Sequence, residues 1–270
     1  MFALDALTHR LKRGCETMAY PEGPPPPLPD RHGGGLRVDA TKCADGCSAC
    51  VPVCPTEAIT RPAGQPVALD LGRCIFCAEC VAVCPPHAIT QTGDHRLAAS
   101  NRESLMLGAP GREQVRLASA LDEKLRRLFG RSLRLRQVSA GGCNACEADT
   151  NVLGTIGWDL GRFGIQFVAS PRHADGLLIT GPVSKNMELA LRKTWEAVPA
   201  PKIVIAVGAC AIAGGPFAGH PEVLNGAASV VPVDLYIPGC PPPPLTILDG
   251  LLRLLGRLET DRPPASPSQS

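Results

Sequence analysis

The sequence predicts an α/β fold in which a carboxy-terminal parallel-sheet domain follows a smaller, cysteine-rich α+β domain. After residue 133, short apolar runs alternate with helical stretches, a pattern typical of a parallel sheet covered by helices. Before residue 108, one cysteine-containing segment occurs twice. A weakly periodic stretch with Gly108, Pro110 and Gly111 separates these two patterns, so we place a domain junction there.

Composition restricts the classes of function. The chain has 270 residues, of which 44% are hydrophobic, enough for two domains, and its net charge of +2 gives no reason to expect a nucleic-acid partner. Thirteen cysteines in a chain of this length do not suit a secreted disulfide scaffold. The first twenty residues lack the apolar run of a signal peptide, and no stretch is apolar for the length of a membrane span. We therefore expect a reduced, cytoplasmic chain.

Residues 1–36 are predicted to form an amino-terminal arm. Leu4, Leu7 and Leu11 recur at helical spacing with basic residues beside them, which predicts a short amphipathic helix. That helix either packs on its own domain or docks on a partner. Six prolines in the segment 21–29 then favour an extended chain, which serves as a spacer or as a wrapping arm.

The domain predicted at 37–108 contains two copies of one motif, at 38–60 and 69–90. The second copy has the cysteine spacing x2, x2, x3 followed by proline, as in bacterial ferredoxins, where the fourth cysteine ligates the other 4Fe-4S cluster. In the first copy, three residues separate the first two cysteines, and a bulge at Gly46 would absorb the extra residue. Two zinc knuckles are the alternative, but they would not explain the crossed Cys-Pro arrangement in both copies. The predicted ligand sets are Cys43, Cys47, Cys50 and Cys84 for one cluster, and Cys74, Cys77, Cys80 and Cys54 for the other.

Residues 109–132 are predicted to connect the domains through an amphipathic helix over 113–129, which ends at Gly130. Residues 133–260 form the predicted parallel-sheet domain, and we expect the tail 261–270 to be disordered. The predicted strands are 133–138, 165–168, 177–180, 203–207 and 233–237, and the predicted helices are 153–160, 184–197 and 245–258.

Four further cysteines follow the ends of predicted strands: Cys143, Cys146, Cys210 and Cys240. Ligands of parallel sheets bind beyond the carboxyl ends of the strands, where these three loops converge. Thiolates are soft ligands that suit zinc or an iron-sulfur cluster. The sequence therefore predicts a third metal site, and no motif assigns a role to Cys15.

Both halves of the chain resemble known families. The amino-terminal half resembles the two-cluster ferredoxin subunit of formate hydrogenlyase and related membrane-bound hydrogenases, including the stretch 14–21 and the core 74–77. The carboxy-terminal half resembles the small subunit of group 4 nickel-iron hydrogenases, which is homologous to the 20 kDa subunit of complex I. The matching segments are 129–133, 142–146, 171–175, 180–183, 208–210 and 238–242. These subunits are usually separate chains and here look fused.

The resemblance implies a flavodoxin-like domain whose 4Fe-4S cluster, on Cys143, Cys146, Cys210 and Cys240, faces a catalytic large subunit. Electrons would pass between that proximal cluster and the ferredoxin pair, giving three 4Fe-4S clusters and no catalytic residue in this chain. Other subunits would hold the complex at the cytoplasmic face of the inner membrane. The family usually has glycine at the position of Ala145 and glutamate at the position of Asp149. Because this chain departs from the family there, a role of Glu147, Asp149 or His173 in proton transfer or cluster tuning is a separate hypothesis.

Three functions remain open from the sequence. The first is an electron-transfer subunit of a membrane-associated hydrogenase of the formate hydrogenlyase type. The second is the same subunit in a nickel-free, complex I-like oxidoreductase that reduces a quinone or another acceptor, because Ala145 and Asp149 depart from the hydrogenase pattern. The third is a zinc-binding scaffold without redox activity.

Overall fold

A computed structural model describes residues 2–29, 31–62, 65–109 and 111–258. The arm begins with the predicted helix, α1 (Phe2–Arg13), whose leucines at 4, 7 and 11 are 57–78% exposed. The chain then lies along the carboxy-terminal half, where the Met18 amide donates to the Gly157 carbonyl and the Tyr20 hydroxyl donates to Asp249. This stretch therefore wraps that half. The predicted disordered tail, 261–270, lies outside the described residues.

The cysteine-rich half is built from very short strands that hold long loops. Its elements are β1 (Leu36–Val38), β2 (Ile59–Thr60), β3 (Ala68–Asp70), α2 (Glu79–Ala82), β4 (Ile89–Gln91) and β5 (Met106–Leu107). β1 pairs with β4, and β2, β3 and β5 form a second sheet, all antiparallel. Each motif copy ends in one strand of a different sheet, with Ile59 and Ile89 buried at equivalent positions. The two cysteine loops of the repeat therefore pack against the same hydrophobic core.

The connecting helix is shorter than predicted. Helix α3 spans Glu123–Phe129 and is capped by Asp122, whose carboxylate accepts from the Leu125 amide at 3.0 Å. The prediction of helix over 113–122 is wrong, because the backbone there bonds to other parts of the fold. The Ala118 amide donates to the Ala98 carbonyl at 2.7 Å, and the Leu121 amide donates to the Leu254 carbonyl at 3.0 Å. These long-range bonds replace the i to i−4 bonds of a helix.

The carboxy-terminal half is the predicted parallel-sheet domain. In chain order it contains β6 (Leu133–Ser139), α4 (Ala145–Val152), β7 (Ile165–Phe167), β8 (Gly176–Thr180), α5 (Lys185–Ala197), β9 (Ile203–Val207), α6 (Gly208–Ala213), β10 (Leu235–Ile237) and α7 (Pro244–Leu254). The five strands are all parallel and lie in the spatial order β7-β6-β8-β9-β10. This is the 2-1-3-4-5 order of flavodoxin, so the predicted fold is confirmed.

Two helices of this half differ from the prediction. The prediction of a helix at 153–160 is wrong. The helix α4 ends at Val152, and residues 153–160 form turns that contain Gly154 and Gly157. The helix at the end of the domain stops at Leu254 rather than at 258, since Gly256 adopts a φ of +67° just after it. The last strand begins at Leu235 rather than at 233.

The two halves form one continuous body. Ala99 bridges Tyr236 of β10 with two antiparallel backbone hydrogen bonds, of 2.9 and 2.8 Å, which cover that edge of the parallel sheet. A hydrophobic core that includes Leu69 of the first half and Ile212 of the second is shared between them. The cysteine-rich half is thereby fixed against the carboxyl end of β9, near Cys210.

Candidate metal centres

The structure groups the eight cysteines of the repeat in the crossed pattern. One small cavity is lined by four of them, here called site 1: Cys43, Cys47, Cys50 and Cys84. A second cavity of the same size is lined by the other four, called site 2: Cys74, Cys77, Cys80 and Cys54. In each site three cysteines come from one motif copy and the fourth comes from the other copy.

Backbone amides point at the sulfur atoms of both sites. The amides of Ala58 and Ala88, at equivalent positions of the repeat, donate to Cys54 Sγ at 3.2 Å and to Cys84 Sγ at 3.3 Å. The residue before each of these alanines has a positive φ of 51°. Amides turned inward in this way stabilise negative charge on sulfur and are one of the factors that set iron-sulfur potentials.

Gly46 accommodates the extra residue of the first motif copy. It lies directly before Cys47 and adopts a φ of +75°, with open space where a Cβ would be. In the second copy Phe76 lies directly before Cys77 and also has a positive φ, of 58°. The two loops therefore turn at the same place, and the extra residue does not move Cys43 out of site 1.

The four remaining predicted ligands also come together. Site 3 consists of Cys143 and Cys146 at the start of α4, Cys210 in α6, and Cys240 in the loop after β10. Burial, and after it charges that include those of the other three cysteines, raise the pKa of Cys146. Cys143 and Cys240 are exposed to solvent, whereas Cys146 and Cys210 are half-buried. The site lies beyond the carboxyl ends of β6, β9 and β10, at the edge where ligands of this fold bind.

The donor chemistry of the three sites fits a polynuclear metal cluster. Burial, followed by neighbouring cysteines, raises the pKa of Cys74 and Cys146 to about 12 and that of Cys80 and Cys210 to about 11. Because burial disfavours an isolated thiolate, a bound cation would stabilise the ionised sulfur. Among the described residues, no three His, Cys, Asp or Glu side chains are close enough together to hold a single metal ion.

Glu147 is a buried carboxylate beside site 3. Its side chain is 5% exposed, and Oε1 accepts hydrogen bonds from Ser139 Oγ at 2.6 Å and from Thr180 Oγ1 at 2.7 Å. These hydroxyls lie at the ends of β6 and β8, so the carboxylate is fixed at the centre of the sheet edge. Asp149 lies two residues further along α4 and is half-buried, and burial raises the pKa of its carboxyl group.

The structure does not bring His173 together with the cysteines. β7 ends opposite Leu135, well before the end of β6, and the chain then returns towards the amino end of the sheet. There the Asp175 amide donates to the Arg134 carbonyl at 2.7 Å, two residues after His173. The imidazole is exposed, and the cysteines lie beyond the opposite ends of the strands.

Sequence reasoning missed two groups of residues around the sites. Ser139 and Thr180 occupy the last positions of their strands, and that position was the only signal for them. Arg61 directly follows Ile59-Thr60, where the other motif copy has Gln91, and its Nη1 donates to Cys43 Sγ at 3.3 Å. Cys15 is exposed and lies outside the three groups of cysteines.

Comparison with known proteins matches both halves to families. Residues 143–254 match the family of the 20 kDa subunit of NADH ubiquinone oxidoreductase, and residues 42–89 match a 4Fe-4S dicluster domain. The range 143–254 contains the site 3 cysteines, Cys143, Cys146, Cys210 and Cys240. The range 42–89 contains the eight cysteines of the repeat.

Three relatives illustrate the similarity. The chain is 43% identical over 141 residues to formate hydrogenlyase subunit 7 of Escherichia coli, which covers 52% of this chain and 55% of that protein. It is 40% identical to a probable membrane-bound hydrogenase subunit, mbhJ, of Pyrococcus furiosus, covering 54% of this chain and 87% of that one. It is also 40% identical to the NADH-quinone oxidoreductase B subunit of Heliobacterium modesticaldum, covering 44% and 69% of the two chains. The chain thus spans about half of the first relative.

Proposed function

The chain belongs to the family of the 20 kDa subunit of NADH ubiquinone oxidoreductase, and on that premise we propose that it is the electron-transfer subunit of a membrane-associated hydrogenase complex of the formate hydrogenlyase type. The observation that carries the proposal is the grouping of twelve of the thirteen cysteines into sites 1, 2 and 3. A chain whose cysteines are arranged in this way conducts electrons, and the catalytic centre belongs to a partner.

Each site holds one 4Fe-4S cluster in this proposal. The ligands are the four cysteines that define each site, and the clusters supply one-electron redox chemistry when bound. The protein contributes amide donors to sulfur at Cys54 and Cys84, and burial that excludes water from Cys50, Cys74 and Cys80. Such hydrogen bonds and burial tune the potential of a cluster and hold its ligands in place.

The packing between the halves supports a linear order of the sites. Gly72 lies two residues before Cys74 of site 2 and contacts Ile212, which lies two residues after Cys210 of site 3: a Cβ on Gly72 would be 2.8 Å from the Ile212 side chain. Cys43 of site 1 borders an open surface recess with Asp45, Ser48 and Arg61 instead. We therefore order the electron path as site 1, site 2, site 3.

The partner for site 3 is a large subunit that carries the catalytic metal centre. Cys143 and Cys240 are the exposed members of the site, and the prolines after Cys240 shape the adjacent loop. No helix in the described part of the chain is long and apolar enough to cross a membrane. In this proposal, further subunits bind this chain at the cytoplasmic face of the inner membrane.

A second candidate is the equivalent subunit of a nickel-free, complex I-like quinone oxidoreductase. The similarity to the NADH-quinone oxidoreductase of Heliobacterium modesticaldum favours it, at 40% identity over 121 residues. The two candidates require the same clusters in this chain and differ in the metal content of the large subunit.

The deciding experiment is anaerobic purification of the native complex through a tag on this chain, followed by nickel analysis and a hydrogen-turnover assay. We expect about one nickel per complex and hydrogen evolution with a low-potential electron donor. Iron without nickel and without hydrogen turnover would overturn the hydrogenase assignment and leave the quinone-reductase candidate.

A further inference from the structure

Arg61 is the one cation that the structure places in hydrogen-bond contact with a cysteine sulfur, among the residues it describes. Its Nη1 lies 3.3 Å from Cys43 Sγ and 3.2 Å from the Ala44 carbonyl oxygen, and it also donates to the Cys47 carbonyl. The side chain is half-buried and spans the loop that supplies two ligands of site 1. Within the described residues, no carboxylate lies within ion-pair distance of it.

The equivalent position at site 2 lacks this charge. The repeat aligns Ile59-Thr60-Arg61 with Ile89-Thr90-Gln91, and Gln91 is neutral and packs beside Gly33. Cys74, the counterpart of Cys43, accepts from the backbone amide of Phe76 at 3.3 Å. The cation nearest to it in sequence, Arg73, is paired with Glu57 at 3.7 Å. The two sites are thus alike in geometry and differ in charge.

We propose that Arg61 raises the reduction potential of site 1 above that of site 2, so that site 1 is reduced first and is the electron reservoir at the outer end of the path. This difference in potential rests on the proposed function, since it requires a 4Fe-4S cluster in each site. A one-electron reduction adds one negative charge to the four-cysteine site, and a fixed cation beside a ligand sulfur stabilises that added charge.

The test is an anaerobic redox titration of the purified complex, followed by electron paramagnetic resonance. Arg61→Gln introduces the residue of the other repeat. We expect it to lower the equilibrium constant for reduction of one low-potential site by about tenfold, which lowers its reduction potential by about 59 mV for a one-electron couple. The reduction potentials of the other sites should not change. Arg61→Lys keeps the charge and should recover most of the shift. Arg37→Gln removes an exposed arginine of the same half, paired with Glu113, and is the matched control.

Iron and acid-labile sulfide, measured on the same samples, separate the possible failures. Full cluster content with an unchanged titration in Arg61→Gln, or an equal shift in Arg37→Gln, would overturn the inference alone. Loss of about four iron atoms only in Arg61→Gln would also overturn it, because Arg61 would then hold the loop rather than tune the site. Absence of iron and sulfide from the unmodified complex would overturn the proposed function itself.

Discussion

His95 shows how a single residue reports on the packing between the halves of the molecule. It is 8% exposed, its Nε2 has no hydrogen-bond partner among the described residues, and its ring meets that of Tyr20 edge-on at 5.7 Å. Burial is the largest cause that lowers the pKa of His95, with Arg96 and His32 acting in the same direction and Asp249 and Asp94 opposing it. The folded protein therefore favours the neutral imidazole.

This lowered pKa predicts a pH dependence of stability. Below the ordinary histidine pKa of 6.5, the unfolded chain binds a proton at His95 that the folded chain does not yet bind. The free energy of unfolding therefore decreases as the pH falls from 6.5 through the lower pKa of the folded state, and the contribution of the neutral His95 is complete only above 6.5. We expect His95→Phe to reduce the loss of the free energy of unfolding between about pH 7.5 and about pH 5.5. Anaerobic chemical denaturation measures it, with exposed His9→Phe as the control. An equal pH dependence in the unmodified and His95→Phe proteins would contradict this assignment.

At the same scale, the sequence predicts the chemistry of the sites better than their surroundings. Cysteine spacing predicts the crossed grouping of sites 1 and 2, because the motif places each fourth cysteine next to a proline that ends its loop. The hydrogen bond from Thr180 to Glu147 and the hydrogen bond from Arg61 to Cys43 are not predictable from the sequence. They join residues 33 and 18 positions apart, respectively, and no local pattern indicates either contact.

At the scale of elements, site 3 depends on how closely two loops approach. Gly208 begins α6 with a φ of +90°, and a Cβ built on it would lie 2.5 Å from Cys146 Sγ. No side chain fits there without moving the sulfur or the loop, and the positive φ adds strain for any residue other than glycine. The loop after β9 can therefore bring Cys210 beside Cys146 only because glycine lies between them.

We predict that Gly208→Ala removes the cluster of site 3 and leaves those of sites 1 and 2. The expected result is a loss of about four of about twelve iron atoms per chain, with the spectra of the ferredoxin-like pair retained. Gly157→Ala is the control, since no atom lies within 4 Å of the added Cβ. Full iron content in Gly208→Ala, or an equal loss in Gly157→Ala, would show that this close approach does not hold the site.

Elements also show where periodicity fails as a predictor. Strands β8, β9 and β10 are buried along their whole length, as their continuous apolar runs predict. Strands β6 and β7 include polar residues and are only partly buried, so their shorter apolar patterns predict them. Helices α4 and α6 escape prediction, since they are short and begin among the cysteines, where glycine and asparagine suggest turns. Residues 113–122 look helical, but their amides bond to distant carbonyls, which no sequence window contains.

At the scale of the whole molecule, the chain is one body rather than two linked modules. Tyr20 of the arm donates to buried Asp249 of α7 at 2.8 Å, and Arg253 pairs with the same carboxylate at 2.7 Å. The bridge between Ala99 and Tyr236 adds a second tie between the halves. In the proposed function, the contact between Gly72 and Ile212 across this junction places site 2 next to site 3. The residues of the junction lie up to 229 positions apart, so the sequence predicts the two folds but not their junction.

The central claim is that twelve cysteines of this one chain hold three 4Fe-4S clusters. The most direct measurement is the content of iron, acid-labile sulfide and zinc per chain in the anaerobically purified complex, after iron in the partner subunits has been subtracted. The account predicts about twelve iron and about twelve sulfide, because each cluster carries four of each. Zinc in place of iron, without acid-labile sulfide, would contradict it and would support the zinc-binding scaffold.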